Sequence, residues 1–270
     1  MPIGDYTRSL YKNPLSRLLC SAFGTFDIHS HYRIASVIDF FNKSYSRHQQ
    51  LSVLEVGCGT GMNLFELAKR FPVHAEGYDL DAEQIREARE ISRTEFENRV
   101  QFHVADASVL APRDAYDAIL FVDFLEHVPH PAQIVAAMDR CLKPAGVMVV
   151  SVPTPRYPRV FGREMHERIG HLVDGYTADT LTGLLPPKYS QIQTRYSTGP
   201  IGSLLCAIQC RVLEKIPIAQ LRWLCALPLL ALRGLDVFVS PTNSATLFAV
   251  YRKPAHAGAS TGFGTKKRER

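Results

Sequence analysis

Three glycines, Gly57, Gly59 and Gly61, stand at alternate positions directly behind the run Leu51-Ser52-Val53-Leu54-Glu55-Val56. An apolar run entering such a turn reads as a buried strand feeding a helix. Glycine lets the backbone approach a ligand with no Cβ between them, so a nucleotide-like molecule is expected over the turn. The spacing narrows the choice. A dinucleotide site needs G-x-G-x-x-G, but here the third glycine comes one residue early and Met62 fills the sixth position. No G-x-x-x-x-G-K-[ST] phosphate loop is present. Glu55, two residues ahead of the first glycine, repels a pyrophosphate and attracts a cation.

Further acids fall where other strands are expected to end. Asp79 comes 24 residues after Glu55, at a place suited to ribose hydroxyls, and Asp106 follows Val104-Ala105. A single acid at a strand end is often only a turn former, but three at successive strand ends make a pattern. Asp123, Glu126 and His127 close a fourth apolar run. Imidazole titrates near working pH, so His127 is the first candidate for a general base, with Glu126 and Asp123 as rivals. The alternative for Glu126 and His127 is that they only shape the turn. The histidines form no H-x-x-x-H or Cys/His grouping, so no metal site is expected.

The elements that must carry these residues alternate. Strands are expected at Leu51–Val56, His74–Tyr78, Val100–Val104, Tyr116–Val122 and Val147–Val152. Helices are expected at about 62–70, 82–96 and 132–142 between them. This order implies a doubly wound parallel sheet, α/β in class. Ahead of it, Ile34, Val37, Ile38 and Phe41 form an amphipathic helical stripe in a helical cap over 1–50. Behind it, 153–176 reads as a long polar and aromatic loop, and Thr177 as the N-cap of a short helix to Leu185. A sixth strand is expected at Tyr189–Tyr196 and a seventh at Ala245–Tyr251.

Glu55-Val56-Gly57-Cys58-Gly59-Thr60-Gly61 resembles motif I of the class I S-adenosylmethionine-dependent methyltransferases. Leu125-Glu126-His127-Val128-Pro129-His130-Pro131 and Leu142-Lys143-Pro144-Ala145-Gly146 resemble the L-E-H-V-x-x-P and L-K-P-G-G pattern of one branch, methyltransferase type 11/12, which includes the ubiquinone-biosynthesis O-methyltransferases. Ala145 departs from the usual glycine. His171-Leu172-Val173-Asp174-Gly175-Tyr176-Thr177 resembles that branch's H-x-x-x-[YF]-T segment, and the resemblance covers 51–185. It implies a Rossmann-like seven-stranded sheet with an antiparallel last strand, and S-adenosyl-L-methionine as cofactor. Its sulfonium and ammonium suit Glu55. The implied cofactor residues are Glu55, Gly57, Cys58, Gly59, Gly61, Asp79 at the ribose, Leu80, Asp106 at the adenine amino group with Ala107 as backbone donor, and Asp123. His166, His171 and Tyr176, with Tyr157, lie on the loop over the same edge and are expected to line the acceptor pocket. His29 and His31 offer a weaker approach from an N-terminal lid helix. Methyl transfer is an in-line displacement at carbon, so much of the catalysis lies in positioning.

The 270 residues suffice for one core with an appended subdomain: 51–198 with 244–254 as the cofactor domain, 199–243 as an apolar helical insertion, 255–270 as a disordered basic tail. The insertion's uncharged run between Arg222 and Arg233 is ten residues with a proline inside, too short to span a bilayer. It reads as a packed helix pair, as a cap on a hydrophobic acceptor pocket, or as a membrane-interface contact through 201–239 with Trp223 at headgroup level. The net charge of +5 is mild, and the tail Lys266-Lys267-Arg268-Glu269-Arg270, which carries much of it, reads as a solvated end, so no nucleic-acid partner is expected. Six cysteines without a CxxC pair read as reduced thiols of a cytoplasmic protein, with association at the inner membrane face as one reading of the insertion. No signal peptide is recognised. The expected function is methyl transfer to a small hydrophobic acceptor (lipid, quinone, isoprenoid or aromatic), at oxygen first and otherwise at nitrogen or carbon. A non-catalytic binder of the same cofactor and an NAD oxidoreductase are the alternatives, the latter opposed by the glycine spacing.

Overall fold

The computed structural model describes residues 14, 18, 25, 27–110, 113–216, 219–232, 235–236 and 244–255. The expected cap ahead of Thr25 (apart from Pro14 and Leu18), the basic tail beyond Ala255, Pro217, Arg233 and the side chains of Arg222 and Trp223 lie outside the described residues.

Seven strands form one sheet: β1 Leu51–Val56, β2 Val73–Asp79, β3 Val100–Val104, β4 Tyr116–Val122, β5 Leu142–Pro153, β6 Ser190–Tyr196 and β7 Thr246–Arg252, in the order β3-β2-β1-β4-β5-β7-β6. β1 pairs in parallel with both β2 and β4, and β4 in parallel with β5, whereas β7 runs antiparallel to β5 and β6. This is the expected sheet with its antiparallel last strand. β1 is central and buried along nearly all its length, which is why it reads as a continuous apolar run. Chain order reverses beside β1, and that switch point opens the crevice where ligands of such sheets bind.

Alternate residues face opposite layers. Ala118, Leu120 and Val122 of β4 join one core with Val37, Phe41, Leu64 and Phe65, while Ile119 and Phe121 join the other with Val135, Met138 and Leu181. Each fully buried Leu or Phe there contributes about 1.5–3 kcal/mol. The first layer holds α1 Ile28–Ser44, α2 Met62–Ala68 and α3 Ala82–Glu95. The second holds α4 Pro131–Cys141 and the short α7 Ala178–Thr182, opened by the expected Thr177 N-cap in a reciprocal capping box with Thr180. Asp27 and Asp81 cap α1 and α3 by accepting from His29 N–H and Glu83 N–H.

Three expectations need correction. Residues 153–176 are not one loop: α5 Tyr157–Phe161 and α6 Arg163–Arg168 lie within them, too short for a periodic signal. The fifth strand does not wait for Val147; β5 begins at Leu142, which already pairs with Tyr116. In the insertion, the proline inside the uncharged run would be expected to break a helix, but α8 Pro200–Arg211 is followed by α9 Ala219–Leu232, which runs through Pro228. α8 packs Leu205 and Cys206 against Tyr157, Phe161 and Ile28, so the insertion, α5 and α1 close over the β4–β5 edge as a third cluster.

Candidate active site

The glycine turn joins β1 to α2. Gly57, at φ +69°, donates its N–H to Tyr78 O at 2.8 Å. A Cβ built on Gly57 would stand 2.2 Å from Phe124 Cδ2, and one on Gly61 2.3 Å from Phe102 Cζ. Both positions therefore require glycine for space as well as for conformation. Gly59 N–H donates to Asp79 Oδ2 at 2.8 Å, and Asp79 Oδ1 accepts from Asp81 N–H at 2.9 Å. The acid at the end of β2 thus holds the turn after β1.

A cleft of about 720 Å³ opens above these strand ends. Gly57, Gly59, Asp79, Leu80, Asp106, Ala107, Asp123 and His127 all line it. Leu80 projects at its rim, 73% exposed. Asp106 also accepts from Ser108 N–H at 2.8 Å, so one oxygen is committed to its own turn. Glu55, Cys58 and Gly61 sit behind the wall. The Cys58 thiol packs toward Gly77 and burial pushes it well above the usual thiol range, so it is inert. Glu55 is buried; its Oε1 accepts from Asn63 Nδ2 and its Oε2 has no hydrogen-bond partner. Burial, only partly offset by Asn63, pushes its pKa up to about 8. Tyr78, Gln84, Phe124 and Gln133 also line the cleft. Sequence reasoning missed them, because pocket-facing position is a property of the folded sheet edge.

At the end of β4, Asp123 takes φ +48° and accepts from Arg33 and from His29 Nε2, the latter at 3.3 Å. Burial raises this carboxyl, but the Arg33 guanidinium and His29 outweigh it and hold Asp123 well below the usual range. α1 is thereby fastened to the site, and His29 does reach it; His31 instead stacks edge-on against Tyr32. His127 ends the 3-10 turn Leu125–His127, half-buried, with Nδ1 3.2 Å from Gly170 O.

Glu126 does not face the cleft. It is 0% exposed, neither carboxylate oxygen has a hydrogen-bond partner, and burial followed by the Asp123 charge raises its pKa far above 4.5. Direct contact with substrate is therefore not its role in this arrangement. His166, His171 and Tyr176 likewise do not line the cleft; they pack beneath the β4 turn. Tyr176 Oη donates to Leu125 O at 3.0 Å and His166 Nε2 lies 3.2 Å from Val173 O. His171 meets His127 edge-on at 4.7 Å between ring centroids, with Nε2 3.9 Å from Glu126 Oε1. Burial, then His127 and His166, push the His171 pKa down to about 4.

This donor set fits a cationic, adenosine-bearing cofactor. Gly57 and Gly59 bring backbone without a Cβ to the cleft wall, the buried Glu55 Oε2 is without a hydrogen-bond partner at the adjoining end of β1, and Asp79 keeps acceptor capacity for hydroxyls. A family model described as a methyltransferase domain matches residues 26–186, more than half of the chain. The chain belongs to the methyltransferase domain family. Within it, the matched part is 31% identical over 119 residues to a ubiquinone biosynthesis O-methyltransferase of Hydrogenovibrio crunogenus, covering 43% of this chain and 48% of that protein. It is 29% identical over 101 residues to norajmaline N-methyltransferase of Rauvolfia serpentina, covering 37% and 35%. The chain thus matches about half or less of the length of these curated relatives. Among solved structures, phosphoethanolamine N-methyltransferase 2 of Haemonchus contortus, in complex with S-adenosyl-L-methionine, superposes with a TM-score of 0.60 at 16% identity, over 88% of this chain and 59% of that one. The [4+2]-cyclase SpnF superposes with a TM-score of 0.57 at 20% identity, over 82% and 81%. The fold is that of the class I methyltransferases and the cofactor is S-adenosyl-L-methionine.

Proposed function

We propose that this methyltransferase domain moves a methyl group from S-adenosyl-L-methionine to a small, hydrophobic acceptor, with a hydroxyl as the receiving group. The observation that carries the reading is His127 on the wall of the same cleft as Gly57, Asp79 and Asp106, at its β4 end. When bound, the cofactor supplies an electrophilic methyl on a sulfonium. The chain's own residues do the rest. Asp79 and Asp106 hold the adenosine part, and buried Glu55 answers the positive charge. His127, held from behind by Gly170 O and His171, is the group on which the acceptor's proton loss depends.

Hydrophobic acceptor chemistry is supported by the insertion. Leu204, Val212, Leu221 and Leu232 are all exposed on α8, α9 and the turn after α8, with Arg211 and Lys215 beside them. This matches a surface that meets a lipid-like substrate or its membrane at the interface; no helix among the described residues is long and apolar enough to cross one. The second reading is a protein of the same fold that binds the cofactor without methyl transfer. The test is incubation with methyl-labelled cofactor and two acceptor panels, prenylated phenols and small primary amines. Label on the phenols supports the reading. Label on the amines alone overturns hydroxyl acceptance, and none on either panel despite cofactor binding favours the second reading.

A further inference from the structure

The β4 turn gathers three groups that the sequence keeps apart. Glu126 and His127 are neighbours, but His171 comes from the loop after α6, 44 residues on. One donor atom from each lies within 4.8 Å of the others. Both oxygens of the fully buried Glu126 lack hydrogen-bond partners, as does the buried His171 Nδ1. Native proteins leave few such groups unsatisfied, and an ion is one of the standard reasons for an exception. A hydrophobic replacement of similar volume would pack as well without the desolvation cost, so the carboxylate needs an explanation.

We propose that Glu126, His127 and His171 form a binding site for one divalent transition-metal ion of the Zn2+ type. Two imidazoles and one carboxylate are the donor set that leaves an open coordination position in catalytic zinc sites, and imidazole selects against Mg2+ and Ca2+. Bonds of about 2.0–2.1 Å bring tetrahedral donors to roughly 3.3 Å of one another, so the present spread closes by about 1–1.5 Å on binding. Side-chain rotation at His127, which is only half-buried, supplies that movement. An outer partner is already in place: Gly170 O sits 3.2 Å from His127 Nδ1, the kind of backbone carbonyl that orients a ligating imidazole. His127 alone of the three lines the cleft, so it is the ligand through which the ion adjoins it.

The metal's role rests on the hydroxyl-acceptor reading above; the site itself does not. An acceptor hydroxyl on the open position is acidified as water is on zinc. Its O–H bond breaks, the electron pair stays on oxygen, and the proton leaves to bulk water. His127 then serves the deprotonation as a ligand rather than as the proton's carrier.

The test strips the full chain with chelator, dialyses it against Zn2+ and counts bound metal, with Co2+ in place of Zn2+ for its visible absorption bands. The expected result is one ion per chain. E126Q and H171Q should each weaken binding at least tenfold, because even outer-shell changes cost 10–100-fold. Retained cofactor binding in H171Q shows that the variant is folded. Zinc bound at under about a tenth of an equivalent, or bound equally by H171Q, overturns the site. Metal-free protein that still methylates at full rate sinks the metal and leaves the methyl-transfer reading. Protein that binds zinc at these residues but transfers no methyl does the reverse.

Discussion

Gly59 N–H donates to Asp79 Oδ2 at 2.8 Å, so the acid placed for the cofactor ribose is also the clasp of the glycine turn. One side chain thus sets the turn's shape and reads the ligand. Replacing Asp79 with Ala removes both effects. Hydrogen bonds to a charged group contribute about 1.5–3 kcal/mol each, so cofactor affinity should fall about 10- to 150-fold by titration calorimetry. A loss under about threefold would show that the carboxylate only caps its own turn.

Buried Glu55 makes cofactor binding depend on pH. Its pKa of about 8 means that the cofactor-free protein holds a proton there at neutral pH. A cationic ligand favours the ionised form, so binding releases that proton and tightens as pH rises toward 8, levelling above it. The effect on stability has the opposite sign. The unfolded chain loses this proton near 4.5 while the folded one keeps it, so stability falls as pH rises from about 4.5 to about 8. E55Q should flatten both profiles. Affinity that is unchanged between pH 6 and pH 8 in the parent would refute the coupling.

Arg33 and Asp123 tie the N-terminal helix to the β4 turn across 90 residues of sequence. Breaking a fully buried pair costs about 3–5 kcal/mol. These side chains are 20% and 19% exposed, so R33M should cost less, about 2–3 kcal/mol in urea unfolding. D123N added to R33M should recover part of the loss, since the stranded charge is gone. Simple additivity of the two changes would mean that the pair is not coupled.

Ala145 stands at φ +61° where the family pattern has glycine. A left-handed Ala costs about 1–2 kcal/mol, and extra freedom of Gly in the unfolded chain returns about 0.4–1 of that. A145G should therefore stabilise by about 0.5–1 kcal/mol, raising Tm by about 1–4 °C. An unchanged or lower Tm would show that the turn relaxes around Ala145.

The sheet was legible because buried parallel strands advertise themselves: Leu51–Val56, Tyr116–Val122 and Val147–Val152 are unbroken or nearly unbroken apolar runs between helical patterns. Asp123 was legible for the same reason, since it ends such a run, whereas Asp79 and Asp106 follow the mixed strands β2 and β3 and were legible from the alternation of strand and helix. What stayed hidden depends on distance in the chain. Nothing local to Arg33 announces Asp123, and nothing local to His171 announces Glu126. α5 and α6, at five and six residues, fall below the length at which helical period shows. Glu126 read as a site residue from its neighbour His127, yet a single turn sends one side chain to the cleft and the other into the core.

The most direct test of the account is methyl transfer by H127Q at saturating labelled cofactor with a prenylated phenol, beside the parent protein. The account predicts a loss in kcat of about 10²- to 10⁴-fold, the usual range for a group on which proton removal depends, with cofactor affinity unchanged. A kcat within about threefold of the parent would contradict it and remove His127 from the reaction.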